Sequence, residues 1–215
     1  MIIMVTVIYH DVGFRAIYNR FCCFKKEGIL ADLAQKYLSH ANDSNCILTY
    51  GYIDHNLGLS VEILACGIEL GDNKYRFFAP NDTVRTHARI EAVEKIPFTT
   101  ITFEDSGKYS LYTRKIENIF NISISNADIE KTRDFIFLDS SRDQYYIDDV
   151  LILFRRSTTI CDRRWVRIEA LKEHSFVGKL LEEPSGSVPF HKNDLVEFEV
   201  LKNPNGSLFC VCDIK

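Results

Sequence analysis

No stretch of this sequence approaches the roughly 20 consecutive apolar residues that a membrane helix requires. The opening run Met1 to Tyr9 is apolar but short. It lacks the basic flank and small-residue cleavage site of a secretory leader, so a cytoplasmic protein with no membrane partner is expected. Phosphate loops are missing too: the chain has no G-x-x-x-x-G-K-S/T, no G-x-G-x-x-G and no G-x-S-x-G. No positive excess exists either. Twenty-six Lys and Arg face 30 Asp and Glu, a net charge of −4, whereas a non-specific polyanion binder depends on surplus cations to neutralise phosphates. Glycine and proline are scarce, 10 and 5 of 215 residues, which excludes collagen-like and linker-like chains.

What remains is the composition of a folded protein. Apolar residues make up 46% and charged residues 26%, enough for a core and a solvated surface. Fifteen Phe and 10 Tyr lean the chain toward sheet. Seven cysteines, an odd count, sit mostly among apolar neighbours, as in Phe21-Cys22-Cys23-Phe24 and Phe209-Cys210-Val211-Cys212. Free cysteine behaves as a small buried hydrophobe, so this usage fits a reducing compartment without a disulfide framework.

Periodicity organises the chain into two parts, 1–140 and 141–215. In the first, Val5 to Tyr9 reads as a strand. Lys26 to Leu38 is the clear helix, with Ile29, Leu30, Leu33, Tyr37 and Leu38 on one face. Cys46 to Ile53 and Leu59 to Leu70 read as strands, and Gly71-Asp72-Asn73 as a hairpin turn into Lys74 to Phe78. Thr83 to Lys95 reads as a short helix, and Phe98 to Phe103 and Tyr109 to Ile116 as two strands joined at Asp105-Ser106-Gly107. Ala127 to Arg133 reads as a helical turn capped by Ser125 or Asn126. The second part gives five short strands: Val150 to Phe154, Trp165 to Leu171, Phe176 to Leu181, Leu195 to Leu201 and Leu208 to Ile214. Their even spacing suggests a small barrel of SH3-like type or a bent sheet. The expected class is therefore α+β: a mixed sheet with one clear helix, then a small all-β domain.

Within the tail, Arg164-Trp165-Val166-Arg167-Ile168, Gly178-Lys179-Leu180 with Glu183-Pro184, and Asn193-Asp194-Leu195-Val196-Glu197-Phe198 form a pattern. It resembles W-V-x-I, G-x-L-x-x-E-P and G-D-x-V-x-F in small uncharacterised bacterial β-domain families. Tyr146-Ile147-Asp148-Asp149-Val150 is similar to the Y-P-D-D-V step that precedes it there. Ile147 stands for the proline and Asn193 for the turn glycine. The resemblance covers about 65 residues and implies no activity; some members are like immunity or accessory proteins.

Four groupings carry candidate chemistry. Asp139, Asp143, Asp148 and Asp149 could converge on a hard cation. An EF-hand count from Asp139 fails, however, with Gln144 at position six and Val150 at position twelve. His10-Asp11 and Asp54-His55 end apolar segments and could meet as an acid–base site, although adjacent strand residues point to opposite faces. Cys210 and Cys212 share a strand face but lack the further ligands that zinc needs. Arg155 and Arg156 with Arg163 and Arg164 flank a loop beside Trp165, a combination suited to phosphate or an acidic protein. Residues 146–215 hold ten Lys and Arg against eleven Asp and Glu, so the tail is not basic overall. Ordinary solvated loops, turn caps and core packing are the favoured explanation of each grouping. No cofactor is expected. The sequence favours a non-catalytic macromolecule-binding protein of bacterial immunity or accessory type, with another protein as partner. A nucleic-acid or nucleotide-phosphate binder and a divalent-metal-dependent hydrolase are the alternatives.

Overall fold

The computed structural model describes residues 6–71, 74–80, 85–103, 106–122 and 126–214. It divides the chain into two compact units, Met1–Ile124 and Ser125–Lys215. Residues 126–140 of the second unit form no barrel strand; the sequence boundary at 140 places them in the first part.

The first unit is built on a sheet whose strands are β1 (Phe21–Lys25), β2 (Cys46–Asp54), β3 (Gly58–Gly71), β4 (Lys74–Phe77), β5 (His87–Arg89) and β6 (Phe98–Ile101). The order is β4-β3-β2-β1-β6, with β5 alongside the other end of β3. Every pairing among these strands is antiparallel. The β1 and β2 runs are apolar at nearly every position because both faces of the sheet are covered. Helix α1 (Tyr9–Val12) is a single turn, and α2 (Gly28–Tyr37) buries Leu30 and Ala34. Helix α3 (Ile90–Val93) is again one turn. Helix α4 (Ser106–Ile122) lays Tyr112, Ile116 and Ile119 against Phe21, Cys23, Leu48 and Tyr50.

Three expectations change here. Tyr109 to Ile116 belongs to α4, not to a strand. Tyr112, Ile116 and Ile119 recur at helical spacing and bury one stripe, which overrides the β propensity of the aromatics. Thr83 to Lys95 is not one helix; His87–Arg89 pairs with β3 before the turn of α3, and Thr83 and Val84 lie outside the described residues. Val7 makes a single bridge to Phe98, after which Tyr9 turns into α1, so no strand spans Val5 to Tyr9; Val5 itself is outside the described residues. Gly71 adopts φ +86 and pairs with Lys74, while Asp72 and Asn73 of the expected turn also lie outside them.

The second unit opens with α5 (Ala127–Arg133), capped by the Asn126 carboxamide accepting from the N–H groups of Asp128 and Ile129. A 3-10 turn follows at Ile136–Ser141. Five strands then form a meander: β7 (Asp149–Arg156), β8 (Thr159–Leu171), β9 (Phe176–Leu180), β10 (Leu195–Lys202) and β11 (Leu208–Asp213). The meander closes into a barrel. Four antiparallel steps, an even number, leave the first and last strands running the same way, so the closing β11–β7 pair is parallel. Val150, Ile152, Phe154, Val166, Ile168, Leu180 and Phe198 fill the interior, and Leu138 of the 3-10 turn joins them. Each such fully buried side chain contributes roughly 1.5–3 kcal/mol. The glycine of the G-x-L motif has a packing reason: a Cβ at Gly178 would stand 2.8 Å from Val166 and 3.2 Å from Phe198.

Candidate functional site

The aspartate group is consumed by arginines. Asp148, fully buried, accepts a two-pronged contact from Arg133: Nε to Oδ1 at 2.9 Å and Nη2 to Oδ2 at 2.7 Å. Arg133 is itself 1% exposed and also reaches Glu130 at 2.6 Å. Asp149 is gripped the same way by Arg167, at 2.7 and 3.0 Å. Burial raises the Asp149 pKa, and the Arg167 fork opposes that rise. Asp143 accepts from the N–H groups of Tyr145 and Tyr146 as a turn cap. Asp139 stands 3.6 Å from Arg142. Buried carboxylates persist only when paired, and these brace α5, the 3-10 turn and the first two barrel strands. Among the described residues, no group of three or more His, Cys, Asp or Glu could hold a metal ion.

The arginine loop is also largely engaged. Arg155 forks onto Asp213 of β11, with both contacts at 2.7 Å, and this fork holds the Asp213 pKa below the usual carboxylate range. Arg156 donates to the Ser187 carbonyl at 3.1 Å. Arg164 donates to the Glu183 and Arg163 carbonyls and sits 3.1 Å from Asp162. Arg163 is exposed, and its N–H donates to Asp162. Local sequence showed one opposing acid; the fold supplies Asp213 from 58 residues away. Trp165, opposite Leu151 in the register, is half-buried on the outer barrel face.

In the histidine pairs, His10 and Asp54 each have other partners. His10 lies 3.2 Å from Glu94, while Asp54 caps the β2–β3 turn by accepting from the N–H groups of Asn56 and Leu57. Cys210 and Cys212 both face the barrel core. Burial pushes both thiols up, Cys212 to about 11.

Three features were not legible in sequence. The first is an apolar groove on the barrel unit. Phe135, Phe137 and Phe176 form an aromatic cluster, with Phe135 and Phe137 stacked at 5.0 Å and Phe176 edge-on to Phe135 at 6.1 Å. Together with Leu171, Val200 and Leu208 they line a groove of about 700 Å³, rimmed by Lys131, Lys172, Glu173 and His174. A second lobe of about 820 Å³ shares Phe135, Phe137 and Leu208 and adds Ile136, Asp134 and Asp139. Ile136 is 73% exposed and Phe137 40%. The unbroken run Phe135-Ile136-Phe137-Leu138 was the available signal.

The second is a polar cluster on the α4 side of the first unit's sheet. Glu62, 1% exposed, accepts from Arg85 Nε at 3.1 Å, and Arg85 also donates to the Tyr52 hydroxyl at 2.9 Å. Burial raises the Glu62 pKa, while Arg85 and Lys115 oppose the rise. Burial pushes Tyr52 up to about 12. This is a neutralised cross-brace of strand, loop and helix.

The third is a thiol pair. Cys23 and Cys46 are diagonal neighbours on one face of β1 and β2, since Cys23 pairs with Leu48 and Lys25 with Cys46. The neighbouring Cys46 thiol, with burial, raises the Cys23 pKa, and the Cys23 thiol lowers that of Cys46.

Compared with known proteins, the chain matches no family model, and no curated protein or solved structure matches it either. Among the described residues, no helix is long and apolar enough to cross a membrane.

Proposed function

We propose that the chain is a non-catalytic protein-binding module, of immunity or accessory type, that docks a partner polypeptide in the Phe135–Phe137–Phe176 groove. The observation that carries this reading is the exposure of Ile136 and Phe137 beside an aromatic-lined groove. An isolated barrel gains nothing by presenting these side chains to water, and contiguous exposed apolar surface marks interaction sites. Interfaces of this type rest on a few aromatic anchors surrounded by a polar rim, which is the arrangement of Phe137 and Phe135 among Lys131, Lys172 and His174. The arginine loop supports a phosphate-binding reading less well, since Arg155, Arg156 and Arg164 already have partners. The aspartates support a metal-dependent hydrolase no better, since two of the four are forked by arginines.

The test is a display selection of random peptides on the wild-type chain, counter-selected on Ile136→Asp. Enriched peptides should carry an aromatic or large aliphatic anchor. Truncating one hot-spot side chain costs on the order of 1–2 kcal/mol or more, so Phe137→Ala should weaken their binding by roughly 5–30-fold. Peptides that bind wild type and Ile136→Asp equally would refute the groove as the docking surface.

A further inference from the structure

The thiol pair on the first unit's sheet sits in a corner to which five strands contribute, β6 through Thr99. Cys23 and Lys25 come from β1, Cys46 from β2, Glu69 from β3 and Tyr75 from β4, and all line one small cavity with Thr6 and Thr99. The free space is about 10 Å³, while a single water needs about 10–15 Å³. The cavity therefore admits one atom-sized occupant and excludes any organic ligand. Gly67 on β3 stands opposite Cys46 and leaves room beside its sulfur. A Cβ there would lie 3.1 Å from the Cys46 sulfur and 2.5 Å from the Phe77 ring.

We propose that Cys23 and Cys46 form a two-thiolate site for a single soft, monovalent metal ion of the cuprous class. Two cysteines lining one cavity supply the donor type that such ions prefer, and thiolates select Cu(I) over the hard divalent cations. Zinc is disfavoured because it takes four ligands. The nearest carboxylate, Glu69, is held by the Lys25 ammonium. The proton balance is simple. Two thiols release two protons to water as one monocation binds, so the corner goes from neutral to one negative charge. Lys25 stands on the cavity wall to face that charge.

Entry runs past the Lys25–Glu69 pair, whose side chains are 41% and 27% exposed. Ion pairs this exposed contribute little and exchange rapidly, so the pair closes the mouth without sealing it. The other cysteines with a same-face neighbour, Cys210 and Cys212, lie inside the apolar barrel core, where burial raises both thiols.

The experiment is an anaerobic titration of the reduced full-length chain against Cu(I) held by bicinchoninate. Wild type and a Cys161→Ser/Cys210→Ser/Cys212→Ser variant should each withdraw one equivalent. Cys23→Ser and Cys46→Ser should bind it more weakly, by more than the ~10–100-fold that disturbing an outer-sphere partner costs. A wild type that withdraws no copper, or serine variants that match wild type, overturns the proposal. A second measurement needs no variant. Slow N-ethylmaleimide labelling of wild type, read by peptide mass spectrometry, should be suppressed at Cys23 and Cys46 by one equivalent of Cu(I), and unchanged at the other five cysteines. Protection elsewhere but not at Cys23 and Cys46 also overturns it.

Discussion

Replacing Asp148 by alanine strands Arg133 inside the barrel unit, and the cost can be worked from the structure. Both side chains are essentially inaccessible, 1% and 2% exposed, and they meet through two short contacts. Removing one member of such a pair leaves an uncompensated buried charge and costs about 3–5 kcal/mol. Glu130, 2.6 Å from Arg133 but 38% exposed, offsets only part of this. Whole domains are stable by about 5–15 kcal/mol, so a large share is at stake. The chain has a single tryptophan, Trp165, on β8, so fluorescence-detected urea unfolding reports on the barrel unit alone. With a slope of about 1–2 kcal/mol/M for a small unit, the Asp148→Ala midpoint should fall by at least ~1.5 M. The double variant Arg133→Met/Asp148→Leu removes both charges and fills the space, and should return to within about 1–2 kcal/mol of wild type or exceed it. A single variant within about 1 kcal/mol of wild type, or a double variant no better than the single, would refute the buried pair as a brace.

Three further outcomes follow from the geometry. Burial already raises the Glu62 pKa, and removing Arg85 raises it further. A carboxyl with a raised folded-state pKa stabilises at low pH and loses that contribution as pH rises through it. Arg85→Met should therefore be destabilised more at pH 8 than at pH 5 in circular-dichroism urea melts, and equal losses at both would contradict this. Asp213 has its pKa lowered by the Arg155 fork, so its contribution is present above the unfolded value of about 3.9 and is lost as pH falls through the folded one. An NMR carboxyl titration should place its midpoint below that of free Asp and move it back in Arg155→Ala; an unmoved midpoint would show that the fork does not form in solution. Gly51 bonds its backbone to Asn19 and Arg20, and a Cβ there would stand 2.2 Å from the Ile17 carbonyl oxygen. Gly51→Ala should cost at least ~1–3 kcal/mol, and a variant with unchanged unfolding would refute that close approach.

The barrel strands were legible because each carries its own alternation and turn signals. Val166 and Ile168 point inward and Arg167 outward whatever the neighbouring strand does. Tyr112 and Ile116 read as strand because their stripe at helical spacing, thinly apolar overall, competes with the local aromatic content of Tyr109 to Tyr112. The candidate sites fared worse, for a physical reason. Asp148 and Arg155 look like free charges in sequence, and their partners Arg133 and Asp213 lie 15 and 58 residues away. Only the folded chain shows that these charges are neutralised. The groove is hidden for the opposite reason: nothing in the sequence sets the exposed Ile136 and Phe137 apart from core residues, and only the fold shows the core forming without them.

The parallel closure of the barrel has a consequence during synthesis. β7 finds its second neighbour only in β11, with Ile152 facing Cys210, so every other strand of the unit is made before the ring can shut. Until then β7 and β10 present unpaired edges, and the half-built barrel shows Phe154 and Phe198 to water. Open apolar edges of this kind pair readily with other chains. The nascent unit is therefore most prone to aggregate in the interval between the emergence of β8 and that of β11. A non-local closing contact also makes the final step slow relative to the hairpins that precede it.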